Sequence, residues 1–125
     1  MGWADETGIT TPQMAALLGM PLSTVIDWVE KGILIADLRS ASGYASRRLF
    51  SKLAFLRAVV ARYLISSLGL RRRTATEWLD EMDRKGLFKK VTSGLSCVKK
   101  SEDFGFWLNL EKFAEEAEGL LNGLA

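Results

Sequence analysis

T-T-P-Q-M-A-A-L-L-G-M-P-L-S-T-V-I-D-W-V-E-K-G, residues 10–32, carries two helical patterns with start and stop signals around each. Thr11 is a good N-cap, Pro12 suits the first helical position, and Gly19 suits the C-terminal stop. Met14, Leu17 and Leu18 form one apolar stripe at helical spacing. A short break at Met20-Pro21 precedes a second helix, expected from Leu22 to Lys31, with Leu22, Val25 and Val29 inward and Gly32 closing it. Two short helices joined by a turn that begins at glycine make the helix-turn-helix pattern.

The pattern changes downstream. I-L-I-A-D-L-R (33–39) is β-branched enough for a strand, S-A-S-G is a turn cluster, and Y-A-S-R-R-L-F (44–50) is expected to return as the second strand of a β-wing. Ser51–Leu68 is the longest helical pattern, apolar on most sides and therefore central. Its length approaches a membrane span, but Arg57 and Arg62 lie within it, which favours a buried helix. Gly69 ends it. T-A-T-E (74–77) fits a capping box with Thr74 as the cap, starting a helix with Trp78, Leu79 and Met82 inward that ends at Gly86. Beyond it, Leu87–Val91 and Leu95–Lys100 are expected to pair as a hairpin around Thr92-Ser93-Gly94, and Phe104–Leu108 to add a strand. Asn109 is placed to cap a last helix with Phe113, Ala117, Leu120, Leu121 and Leu124 on one face.

At 125 residues, 48% hydrophobic and 26% charged, the chain has ordinary globular composition. Asp5 and Glu6 interrupt the N-terminus, so no signal-peptide pattern is present and a cytoplasmic location is expected. One cysteine, Cys97, and no histidine leave no paired-cysteine framework, no metal cluster and no histidine base. No glycine-rich phosphate loop occurs. The expectation is a binding protein with no cofactor, no metal and no small-molecule effector, and not an enzyme.

Charge is unevenly distributed. Residues 1–30 carry −4, residues 31–73 carry ten bases against one acid, and residues 74–125 carry −3, although the whole chain is only +2. Such clustering in a near-neutral chain points to a basic face.

The order helix-turn-helix, wing, long helix, shorter helix resembles the DNA-binding domain of the MerR family. The matching stretches are I-T-T-P-Q-M-A-A-L-L-G-M-P-L-S-T-V-I-D-W-V-E-K-G-I-L, then Gly43-Tyr44 and Arg48-Leu49-Phe50, then Leu68-Gly69-Leu70, together spanning about residues 9–82. S-T-V-x-x-W followed by G-x-L also resembles excisionase-type domains. The chain departs from the family in having no base over Ser23–Trp28 of its second helix, no cysteine cluster and no long C-terminal coiled-coil helix. The fold class expected is mainly α with a small β-wing, a MerR-like winged helix-turn-helix over residues 1–86 with a β/α extension over 87–125 as a candidate dimerisation element.

The partner this implies is double-stranded DNA, with homodimerisation as a further expectation. Phosphate contacts are expected from Arg39, Arg47 and Arg48 on the wing and from Arg57 on the long helix, with Arg71, Arg72 and Arg73 joining them. Base reading is expected from Ser23, Thr24 and Asp27 on the second helix. Tyr44 at the wing base and Thr11 at the start of the first helix complete the set. Trp28 reads as a half-buried core residue. The function implied is a small MerR-like transcriptional regulator. The alternatives are an excisionase or small-terminase-like architectural accessory, or a winged-helix protein-interaction module such as an adaptor or antitoxin.

Overall fold

A computed structural model describes residues 8–38, 48–92, 98–100 and 107–123. Among them the chain is mainly helical, with two small antiparallel sheets of two strands each. β1 is Ile9–Thr10, α1 Thr11–Leu18 and α2 Leu22–Glu30. β2 is Leu49–Phe50, α3 Lys52–Arg62, and α3 runs on as a π-helical turn, Tyr63–Ser67. α4 is Arg72–Arg84, α5 Leu87–Thr92, β3 Val98–Lys100, β4 Trp107–Asn109 and α6 Leu110–Asn122.

α1 starts one residue earlier than expected. Thr10 is its cap: the hydroxyl accepts from the Gln13 amide at 3.3 Å while the Gln13 side chain accepts from the Thr10 amide at 2.9 Å. This reciprocal pair satisfies two orphan donors at once, which a Thr11 cap would not. Thr11 instead lies inside the helix and is buried. Gly19, at φ 65°, takes the left-handed turn that ends α1. α2 follows after Pro21 and buries Val25 and Trp28. Leu22, expected inward, is exposed, because the indole of Trp28 occupies the core and turns the stripe toward positions 25 and 28.

Residues 33–38 do not form the expected strand. Gly32, at φ 78°, reverses the chain, and the Ile33 and Leu34 amides both donate to the Trp28 carbonyl, at 2.9 and 3.2 Å. Those donors close α2, so they cannot serve a sheet. Ile33 and Leu34 are themselves buried in the core. Leu49 and Phe50 pair with Thr10 and Ile9, ahead of α1. The Leu38 amide does reach the Leu49 carbonyl at 3.2 Å, so the chain returns beside itself there. The turn and most of the returning strand of the expected wing, residues 39–47, lie outside the described residues.

Ser51 caps α3, its hydroxyl accepting from the Ala54 amide at 3.1 Å, and Asp37 accepts from both the Ser51 amide and the Ser51 hydroxyl. As expected, α3 is central: Ala54 to Ala61 are all buried. It packs against α1, α4, α5 and α6. Arg62 ties α1 to α6, donating to the Leu18 carbonyl and to Glu116, each at 2.7 Å.

α4 starts at Arg72, with Arg71 as an N-cap that makes no side-chain bond to the helix. The expected Thr74 capping box is absent, because Thr74 already lies within the helix and Glu77 pairs with Arg73 at 3.5 Å. Trp78, Leu79 and Met82 face inward as expected. Leu87–Thr92 is a helix and not a strand: Phe88 and Val91 are buried at three-residue spacing, the helical period. β3 therefore pairs with β4, Val98 opposite Asn109 and Lys100 opposite Trp107.

Asn109 caps α6 as expected, its side chain accepting from the Glu111 amide at 3.1 Å. Leu110, Ala114, Ala117 and Leu121 enter the same core as Ile9, Trp28 and Phe55. Among the described residues, the extension from residue 87 shares one core with the helices before it.

Candidate nucleic-acid interface

The outer face of α2 presents exposed Ser23 and Glu30, half-buried Thr24, and Asp27 with its side chain 39% accessible. From sequence, Asp27 and Glu30 stand on a helix with no Arg to offset them. The fold supplies two for Asp27. One carboxylate oxygen receives Lys31 Nζ at 3.2 Å, one turn along, and Arg72 Nη1 at 3.1 Å from the start of α4. α2 and the N-terminus of α4 therefore meet as one surface.

Arg71 and Arg73 flank that junction. Arg71 is exposed and makes no ion pair among the described residues; the Arg73 side chain is 92% accessible. An open groove of about 310 Å³ runs between the two helices, lined by Lys31, Ile33, Arg72, Arg73, Thr76 and Glu77. The first amides of α4 point out of its N-terminus with no side-chain cap, and the helix dipole adds positive potential there. Three cations, Lys31, Arg72 and Arg73, meet two carboxylates, Asp27 and Glu77, at this junction, with Arg71 next to it in sequence. The surface is suited to contacts with an anionic polymer of moderate strength.

Arg57 requires a correction. Expected as a phosphate ligand, it is 2% exposed. Its Nε donates to the Ile33 carbonyl at 2.9 Å, Nη2 to the Gly32 carbonyl at 3.3 Å and to Asp80 at 2.8 Å, and Nη1 to Asp83. A guanidinium committed to four acceptors has little left for a ligand. It is a strut that ties the Gly32-Ile33 turn at the end of α2 to α4.

Thr11 is also corrected: buried at the start of α1, it presents no surface to a duplex. Trp28 is fully rather than half buried, and its indole Nε1 has no hydrogen-bond partner among the described residues. Ser23, Thr24 and Asp27 do share the outer side of α2, and of the three Asp27 meets Lys31 and Arg72. Arg48 is half-buried beside β2. Arg39, Tyr44 and Arg47 lie outside the described residues. Lys31 was not among the residues singled out from sequence, although its four-residue spacing from Asp27 was a readable signal.

A smaller cleft of about 170 Å³ opens beside the Arg57 strut, lined by Ile35, Leu53, Phe88 and Asp83 among others. That is below the ~300 Å³ at which ligand pockets begin. Among the described residues, no group of three or more metal-ligating side chains converges, and no helix is long and apolar enough to cross a membrane. No family model, curated protein or solved structure matches the chain.

Proposed function

We propose that the protein binds double-stranded DNA through α2 and the basic junction with α4, as a small MerR-like winged helix-turn-helix regulator acting in the cytoplasm. One observation carries the reading: Lys31, Arg72 and Arg73 line one groove, and Lys31 and Arg72 meet on Asp27, one turn from exposed Ser23, so candidate phosphate ligands and base-reading groups lie side by side. Phosphate neutralisation supplies most of such a protein's affinity, while Ser23, Thr24 and Asp27 supply modest base preference. Arg48, half-buried beside β2, is a further candidate phosphate ligand. No cofactor or effector enters the scheme.

The test is binding to random-sequence duplex across a range of salt. Arg71→Ala/Arg72→Ala/Arg73→Ala should weaken binding and reduce the slope of log affinity against log salt by about 2 to 3, one unit per lost phosphate contact. An unchanged slope would remove the junction from the interface.

A second reading, a protein-interaction module, is supported by the exposed apolar side chains Leu22, Ile35 and Leu38. It predicts no binding to duplex even at low salt.

A further inference from the structure

We propose that Asp27 is a built-in competitor for DNA phosphate: it occupies Lys31 and Arg72 in the free protein and must release them when the duplex docks. The idea rests on the DNA-binding reading and adds a residue that limits how tightly non-target duplex is held. Its basis is the shared carboxylate oxygen, with Lys31 Nζ at 3.2 Å and Arg72 Nη1 at 3.1 Å. These are two of the three cations that line the junction. All three side chains remain substantially accessible, at 39% for Asp27, 54% for Lys31 and 50% for Arg72. Exposed pairs of this kind are individually weak and readily exchanged, so a phosphate can take the place of the carboxylate. Each exchange subtracts the lost pair from the binding free energy.

Glu30 provides an internal comparison. It is exposed on the same helix, three residues on, and makes no ion pair among the described residues. It repels phosphate through space but holds no cation. The two acids therefore separate competition from simple repulsion.

The experiment measures the affinity of random-sequence duplex at fixed low salt for the wild type, Asp27→Asn, Glu30→Gln, Lys31→Ala/Arg72→Ala, and each acid substitution in that last background. Asp27→Ser repeats the test with a second side chain, and thermal unfolding checks that every variant is folded. Asp27→Asn should bind about three- to tenfold more tightly than wild type, the effect of freeing two weakly held cations. Most of that gain should vanish in the Lys31→Ala/Arg72→Ala background. The smaller gain from Glu30→Gln should survive there.

A gain from Asp27→Asn that persists in that background means ordinary repulsion and overturns the proposal. Unchanged affinity in Asp27→Asn, with binding still lost in the triple arginine variant, overturns the competitor role and leaves the DNA interface standing. No binding by any variant overturns both.

Discussion

The Arg57 strut gives the sharpest test of how this fold holds together. Its guanidinium is 2% exposed, but the two carboxylates that neutralise it are not: the Asp80 and Asp83 side chains are 54% and 45% accessible. The energetics should therefore be lopsided. Removing Arg57 as Arg57→Met frees two aspartates that water can solvate, and orphans the Gly32 and Ile33 carbonyls, at a loss of about 2 kcal/mol. Removing one carboxylate, as Asp80→Ala or Asp83→Ala, leaves the other to compensate. A charge-assisted hydrogen bond is lost and some helix propensity is gained, for a net cost of about 1 kcal/mol.

Removing both carboxylates leaves a buried cation with only carbonyls around it. Breaking a buried pair this way costs roughly 3–5 kcal/mol, well above the sum of the single changes. In that double background the sign of Arg57→Met should reverse. Taking the cation away should then stabilise the chain by about 1 kcal/mol, because the uncompensated charge costs more than two orphaned carbonyls. Urea unfolding followed by tryptophan emission, with Trp28 and Trp78 both buried, measures each variant. If the double variant equals the sum of its parts within 0.5 kcal/mol or so, or Arg57→Met destabilises both backgrounds alike, the strut is not a charge-compensated unit.

Two further substitutions probe the core and the turns. Trp28→Phe should stay within about 1 kcal/mol of wild type in thermal unfolding, because losing part of a buried ring is offset by removing an unpartnered indole N–H; a loss above about 2 kcal/mol would show that the N–H is bonded in solution. Gly69, at φ 71°, has open space around it, so Gly69→Ala tests backbone strain alone. It should cost about 1–2 kcal/mol in urea unfolding, with Gly69→Asn milder, and a neutral Gly69→Ala would contradict the left-handed conformation.

What could be read from the sequence was local. Gly19, Gly69 and Gly86 end helices where their position suggested, and Asn109 caps α6 through a bond to a residue two positions away. The 3.6-residue stripe of Trp78, Leu79 and Met82 found the core. What could not be read depended on partners distant in the chain. Ile33-Leu34-Ile35 has strand composition, but its first two amides are taken by the end of α2. Leu87–Val91 looked equally extended until Phe88 and Val91 met the core on one side. Arg57 has the same sequence appearance as any basic residue on a helix; its partners, Gly32 and Ile33 before it and Asp80 and Asp83 after it, are all more than twenty residues away. The Asp27–Arg72 pair spans 45 residues, so the Lys31 half of Asp27's neutralisation was legible and the Arg72 half was not.

The pairing of β1 with β2 joins Ile9 to Phe50 and Thr10 to Leu49. Among the described residues between them, α1 and α2 belong to one excursion clasped at its base. Lys31 and Asp27 belong to that excursion, whereas Arg71, Arg72 and Arg73 come after it. The basic junction is thus a seam between two stretches of chain that meet only once the excursion has closed and docked on α3. No fragment that stops before residue 71 contains the seam, and a fragment that begins after residue 50 holds only the arginine side of it. Any ligand that grips the seam therefore draws its binding energy from the completed fold, and by linkage returns stability to the whole chain rather than to one helix pair.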